Sequence, residues 1–136
     1  MSAARPVPGR NAARLAALCV LASAAIGLGA SPARAQYYGA IGYSPATGAM
    51  GWGIDYPTSE AAASTALNRC AEHATDCRLA VLFKNGCGLV AAGEDGYAAA
   101  ASLSRSDAER IAMRRCGRRT EGCTVQRWVC TTGSMY

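Results

Sequence analysis

Between residues 37 and 130, bulky apolar residues alternate with small or polar ones along several short segments, a pattern typical of β-strands. The alternation is clearest over residues 49–56, where one face would carry bulky side chains and the other almost none. The bulky positions are Met50, Trp52, Ile54 and Tyr56. A face without side chains allows another backbone element to pack closely. Further strands are predicted over 37–43, 78–84, 87–92, 97–103 and 124–130.

Two other segments repeat small and apolar residues every three or four positions, which predicts amphipathic helices. The first follows Thr58, a suitable N-cap, and the second follows Ser104, which has Asp107 three residues on as in a capping box. The predicted buried stripes are Ala63, Ala66, Leu67 and Cys70 in the first helix, and Ala108, Ala112 and Cys116, with Ile111 or Met113 beside them, in the second. Each helix should therefore present a cysteine to the core from its last turn.

Asn85-Gly86 lies between two apolar runs, and both residues tolerate the positive φ of a type I′ turn. This dipeptide predicts a hairpin that joins strands 78–84 and 87–92.

The cysteines mark an internal repeat with an offset of 46 residues. Arg69-Cys70 and Arg115-Cys116 are each followed by a second cysteine at C-x₆-C spacing, and the predicted elements around them occur in the same order. We therefore expect two tandem ββαβ units, at about 37–84 and 87–130. The predicted fold is α+β, with one antiparallel sheet and two helices packed on it.

The first 35 residues are organised like a cleaved secretory signal peptide. Three arginines precede an uncharged apolar run over 15–30, and Ala33-Arg34-Ala35 supplies the small residues that signal peptidase accepts. The apolar run is short for a membrane span, although an uncleaved anchor is the alternative. We expect cleavage between Ala35 and Gln36, which leaves a single domain over 36–136, secreted or periplasmic, with no stable membrane span.

Removal of this leader changes both the charge and the cysteine count. The whole chain has 14 Lys+Arg and 9 Asp+Glu, and four of the arginines lie in the leader, so the mature chain keeps 10 bases against 9 acids. A net charge of +1 does not favour nucleic-acid binding. Seven cysteines become six, and an even number in an exported chain predicts three disulfides. A zinc site or free thiols are the alternatives, and C-x₆-C is wide for a zinc site.

The repeat restricts how these cysteines pair. Equivalent cysteines should form equivalent bridges, and the two that remain pair by elimination. The expected disulfides are Cys70–Cys77, Cys116–Cys123 and Cys87–Cys130.

The segment YYGAIGYSPATGAMGWGIDYPTSEAAASTALNRC, with FKNGCG and a closing WVC, resembles the family named domain of unknown function 4189. The resemblance covers essentially the whole mature chain. Its most specific parts are the YGAI-YSP opening, the C-x₆-C spacing and the N-x-CG segment of Asn85, Cys87 and Gly88; after Gly96 the chain departs from the pattern with YAAAAS. Members are exported bacterial proteins, some considered to act on partners outside the cell, and the family defines no catalytic residues. The resemblance implies a fold and a compartment and leaves the function open.

No group of residues in the sequence is typical of a catalytic site. His73 is the single histidine, in the short loop between Cys70 and Cys77, and no G-x-S-x-G motif accompanies it. The carboxylate pairs Asp55/Glu60 and Glu94/Asp95 lie where helix starts and turns favour acids in any case. We assign no catalytic residue, metal ligand or cofactor, and a small secreted hydrolase with an unrecognised site is the alternative.

Two residue groups are candidates for contact with a partner. The candidate anion-binding cluster is Arg110, Arg114, Arg115, Arg118 and Arg119, and the candidate aromatic contact surface is Tyr38, Tyr43, Trp52 and Tyr56. A solvated helix face and ordinary strand packing are the respective alternatives. The sequence therefore predicts a monomeric, non-enzymatic interaction module that binds a protein or cell-envelope partner.

Overall fold

The computed structural model describes residues 3–4 and 35–134, so most of the predicted leader lies outside the described residues. The elements of these described residues all belong to the second of the chain's two units, residues 34–136. They are β1 (Tyr38–Tyr43), β2 (Met50–Tyr56), α1 (Ser59–Ala71), β3 (Arg78–Lys84), β4 (Cys87–Ala92), β5 (Tyr97–Ser102), α2 (Arg105–Gly117) and β6 (Thr124–Cys130). The α+β class and the two ββαβ repeats are confirmed. Neither helix among the described residues is long and apolar enough to cross a bilayer.

The six strands form two antiparallel three-stranded sheets, where the sequence analysis expected one sheet. The strand orders are β2-β1-β3 and β5-β4-β6, so each repeat builds its own sheet around its first strand. Because β5 and β6 occupy both edges of β4, that strand has no edge left for β3. The predicted hairpin at Asn85-Gly86 is therefore wrong, and this dipeptide connects one sheet to the other. Asn85 has a positive φ of 46°. Gly86 lies so close to the carbonyl oxygen of Ser102 that a Cβ at this position would clash with it.

The two sheets pack face to face through their central strands. Ile41 and Tyr43 of β1 form one buried cluster with Val90 and Ala92 of β4. The opposite face of each sheet is covered by the helix of the same repeat. The layers therefore run helix, sheet, sheet, helix, and both central strands are buried on both faces.

Helix α1 lies against the glycine face of β1 and β2, which explains why that face is bare. A Cβ at Gly51 would collide with the backbone of α1, and one at Gly42 would lie 3.0 Å from the carbonyl oxygen of Ala66. The helix buries Ala62, Ala66 and Cys70, a stripe rotated slightly from the predicted one, since Ala63 and Leu67 are half-buried. Helix α2 buries the predicted stripe, Ala108, Ala112 and Cys116.

A bulge at the end of β2 turns Tyr56 toward α1, away from the face that carries Trp52. The β1–β2 register shifts between Tyr38 and Ala40, and Asp55 adopts a φ of 63°. One extra residue in a strand reverses the alternation of the side chains that follow it. The predicted placement of Tyr56 with Trp52 is therefore wrong.

Three disulfides link Cys70–Cys77, Cys116–Cys123 and Cys87–Cys130, the pairs that the repeat predicts. The first two connect the last turn of a helix to the start of the following strand. The third joins β4 to β6, where its two cysteines lie directly opposite each other. The two equivalent bridges, Cys70–Cys77 and Cys116–Cys123, therefore close the two repeats at the same place.

Candidate functional site

The arginines at the end of α2 have different partners and do not form one cluster. Arg115 donates to the carbonyl oxygen of Ala99 at 3.0 Å, and Arg119 donates to that of Tyr97 at 2.9 Å. Both acceptors lie on β5, an edge strand. Since a charged donor on an edge carbonyl stabilises the fold, Arg115 and Arg119 have a structural role.

The first repeat contains the same device. Arg69, the counterpart of Arg115, donates to the carbonyl oxygen of Trp52 on edge strand β2 at 2.7 Å. Trp52 and Ala99 occupy equivalent positions in the two sheets. Trp52 pairs with Ile41 and Ala99 pairs with Val90, the residues of the two central strands that face the other sheet. The Arg-Cys dipeptide is therefore a repeated structural unit that caps a sheet edge and anchors a disulfide.

Arg110 is paired with a carboxylate, and two further arginines extend from the surface. Arg110 forms an exposed ion pair with Asp107 at 3.0 Å, and the hydrogen bonds from Arg110 and then Ser104 lower the pKa of Asp107. Arg114 and Arg118 are exposed on α2 and at its C-cap. The anion-binding hypothesis is therefore reduced to these two side chains.

The four predicted aromatic residues lie on two different faces. Tyr43 is 7% exposed and packs on Tyr97, with the ring centroids 4.7 Å apart. Trp52 is half-buried between the sheets, beneath the guanidinium of Arg127 at 4.2 Å. Tyr38 and Tyr56 pack instead on the alanine cluster beneath α1. The structure does not bring these rings together as one surface.

The sequence analysis did not predict a groove where the two repeats meet. This inter-repeat groove has a volume of about 490 Å³ and is lined by side chains of both charges and by the tyrosine pair. The residues that define it are Tyr43, Arg78, Glu94, Asp95, Tyr97 and Arg119. Burial, and then the neighbouring Tyr97, raise the pKa of Tyr43, so its hydroxyl is protonated at neutral pH.

Backbone hydrogen bonds hold the acidic side of the groove in place. In the loop between β4 and β5, the amide of Glu94 donates to the carbonyl oxygen of Glu121 at 3.0 Å, and that of Asp95 donates to the hydroxyl of Thr120 at 2.9 Å. The two carboxylates are exposed. The loop is thereby fastened to the segment after α2, so both carboxylates project from a fixed backbone.

Asp76 organises the opposite side of the groove. Its carboxylate accepts from the hydroxyl of Ser44 and from the amide of Ala46, which ties the β1–β2 turn to the loop before β3. These two hydrogen bonds, the Ser44 one first, lower the pKa of Asp76. The contact fixes Pro45 and the start of β3, and so positions Arg78 in the groove.

His73 lies in a separate pocket of about 250 Å³, with Glu72, Arg69 and Trp52 also in its lining. This pocket offers a carboxylate beside the imidazole, but none of its described lining residues carries a hydroxyl or a thiol. Asp55, a member of one candidate carboxylate pair, accepts two hydrogen bonds from Thr132, at 2.8 and 2.6 Å, and so anchors the C-terminal segment. Within the described residues, no His, Cys, Asp or Glu side chains are grouped as a metal site requires.

These features define a small duplicated α+β domain that is held together by three disulfides. Residues 38–130 match the domain of unknown function (DUF4189), and the chain belongs to this family. Proteins Rv1269c of Mycobacterium tuberculosis and Mb1300c of Mycobacterium bovis are similar to the chain, each 34% identical over 96 residues that cover 71% of both sequences. The NMR structure of Rv1813c from Mycobacterium tuberculosis is 33% identical, covers 69% of this chain and 74% of its own, and has a TM-score of 0.53.

Proposed function

We propose that the chain is exported and acts as a non-enzymatic interaction module that binds a protein or cell-envelope partner. The observation that carries this proposal is the inter-repeat groove, in which charges of both signs surround a tyrosine pair. Export is supported by the leader composition and by three disulfides, which are typical of oxidising compartments outside the cytoplasm.

The groove has the properties of a recognition surface. Its volume of about 490 Å³ lies within the range of about 300–1,000 Å³ that ligand sites occupy. Arg78 faces a partner's carboxylate, while Glu94 and Asp95 face its cations, so the charge pattern selects both the partner and its orientation. The tyrosines supply amphipathic rings of the kind that anchor interfaces.

Affinity capture with the exported protein, purified with its disulfides intact, tests this proposal. Wild type, Glu94→Arg and Glu109→Arg are each used as bait to capture partners from culture medium and from envelope extract. Glu109→Arg is the matched control because it makes the same charge reversal on α2, outside the groove lining. We expect wild type and the control to enrich the same partner, and Glu94→Arg to recover several-fold less of it. Enrichment no greater than that of a reduced and alkylated bait would overturn the interaction function.

A further inference from the structure

The four outer strands of the two sheets differ in how their edges are protected. Unpaired main-chain groups at a sheet edge are a template for another strand, and proteins usually block them. Arg69 donates to a carbonyl of β2 at 2.7 Å, Arg115 and Arg119 to carbonyls of β5 at 3.0 and 2.9 Å, and Gln126 to a carbonyl of its own strand β6 at 3.3 Å. Among the described residues, no side chain donates to a carbonyl of β3. The edge of β3 is thus the one that the protein leaves without a blocking donor.

The outer face of β3 is also more apolar and more open than its counterpart in the second repeat. Leu79 and Leu82 are each 41% exposed, and the register shift between Val81 and Leu79 puts both on the α1 side of the sheet. Their counterparts in β6, Val125 and Trp128, pack on the α2 core.

A single residue accounts for part of this difference. The guanidinium of Arg105 covers the ring of Trp128 at 4.0 Å from its centroid. The first repeat has Ser59 at the position equivalent to Arg105, 46 residues earlier, and a serine side chain is too short to cover the leucines.

The strand has a positive charge at each end. Arg78 and Lys84 are both exposed, and with Arg69 they are the only bases between Gln36 and Gly96. Because β3 has one extra residue at Ala80, its partner strand spans the same stretch in five residue steps, from Tyr38 opposite Lys84 to Tyr43 opposite Arg78. At about 3.3 Å a step this is about 17 Å, and the odd number of steps places Lys84 on the α1 face of the sheet and Arg78 on the face toward the other sheet. A second copy of the chain is a poor occupant of this edge. It would bring the same two cations to the edge, and parallel pairing in register would place each cation beside its own copy. Like charges directly opposite each other destabilise strand pairing.

We infer that the edge of β3 binds an extended, acidic segment of a partner protein by strand addition. Main-chain hydrogen bonds to β3 supply affinity, apolar side chains cover Leu79 and Leu82, and acidic residues five positions apart pair with Lys84 on one face of the sheet and Arg78 on the other. Arg78 also lines the inter-repeat groove, so the bound segment leads from the edge into that groove. This inference rests on the interaction function proposed above and names the surface and the chemistry of the partner.

Two six-residue peptides test the inference on the purified, oxidised protein. One is Glu-Ser-Val-Ser-Val-Glu with blocked termini, and the other has lysine at both ends. We expect the acidic peptide to shift the NMR amide signals of Leu79–Lys84 and to bind at least tenfold more tightly than the lysine peptide. Its affinity should fall as salt rises, because exposed charges are screened over about 8–10 Å at physiological ionic strength. N-methylation of alternate peptide amides should abolish binding, since it removes the donors to the strand edge.

Variants of the protein locate the site. Leu82→Lys should lower the affinity for the acidic peptide at least tenfold. Leu103→Lys should leave that affinity unchanged, although Leu103 is the more exposed leucine at 69%. The double variant R78Q/K84Q should erase the preference for acidic ends while keeping the melting temperature. Equal binding of the two peptides, shifts confined to other elements, or dimerisation through β3 in sedimentation would each overturn the inference. If no peptide binds while the capture experiment still recovers a groove-dependent partner, the β3 site is wrong and the interaction function stands.

Discussion

Replacement of Gly51 by alanine should destabilise the domain more than any other single methyl addition to the glycine face. A Cβ at this position collides with the amide nitrogen of Cys70 and the carbonyl oxygen of Ala66, and it lies 2.7 Å from the Cβ of Arg69. These are mostly backbone atoms, and the disulfide to Cys77 restrains the end of the helix, so no side-chain rotation relieves the clash. Helix α1 must therefore move off the sheet.

The expected cost follows from what overpacking does in other protein cores. An extra carbon in a packed core costs about 1–3 kcal/mol and occasionally more. Because the helix backbone itself must shift, we expect a loss of about 3 kcal/mol in the free energy of unfolding for Gly51→Ala. In a domain of about 100 residues that loss lowers Tm by about 12–24 °C.

Guanidinium unfolding of the oxidised protein, followed by tryptophan fluorescence, measures this loss directly. Gly117→Ala is the matched control, because Gly117 is the last residue of α2 and a Cβ there meets no atom within 4 Å. The control should be as stable as wild type, or more stable by up to about 1 kcal/mol, since glycine is unfavourable in a helix. A loss below about 0.5 kcal/mol for Gly51→Ala, or an equal loss in the control, would refute the close packing of α1 on β2.

Three further predictions concern charges and processing. Arg115→Gln should lower the free energy of unfolding by about 0.5–1.5 kcal/mol, because it removes a hydrogen bond to an edge carbonyl, whereas Arg114→Gln should change it by less than about 0.5 kcal/mol; equal effects in thermal melts would contradict the division of the arginines. Because the pKa of Asp76 is lower in the folded state, its ionised carboxylate stabilises the fold at pH values above the ordinary carboxyl pKa of about 3.9. This contribution is lost as the pH falls through the pKa of the folded state. The Tm advantage of wild type over Asp76→Asn should therefore shrink below about pH 4, and an advantage that does not change from pH 7 to pH 2 would contradict it. Mass spectrometry of the intact protein recovered outside the cytoplasm should give the mass of a chain that begins at Gln36. A product that keeps residues 15–30 would disprove cleavage of the leader.

The local elements could be predicted because their signals are local. Helix caps at Thr58 and Ser104, alternation along β2 and the 46-residue repeat of Arg-Cys each act within one element or one unit. The repeat also restricted the disulfides, because equivalent units form equivalent bridges.

The arrangement of the sheets could not be predicted from the same signals. Asn85-Gly86 has hairpin chemistry, yet a two-residue connection can also pass from one packed sheet to another when the neighbouring strand has no free edge. One indication was available: YGAIGY and CGLVAA lack polar residues on either face, which is typical of strands that are covered on both sides. The bulge at Asp55 depends on a positive φ that no neighbouring residue indicates in the sequence.

The groove and the edge arginines depend on contacts between residues far apart in the chain. Spacing along α2 groups Arg115 and Arg119 with their neighbours, but only the fold shows that carbonyl oxygens of β5 lie within their reach. Likewise, Arg78 and Glu94 belong to different repeats, and nothing local brings them to one groove. Comparison of the two repeats was the available signal, since Arg69 and Arg115 recur at the same position.

Site-specific photo-crosslinking in cells that produce the full chain tests the interaction function most directly. The photoreactive residue p-benzoylphenylalanine replaces Leu82 on the edge strand β3 in one variant and Leu103, before α2, in the other. We predict that the Leu82 variant forms a covalent product with a partner outside the cytoplasm, through an acidic extended segment, and that the Leu103 variant does not. A product with only a second copy of the chain, or the same products from both positions, would contradict the account.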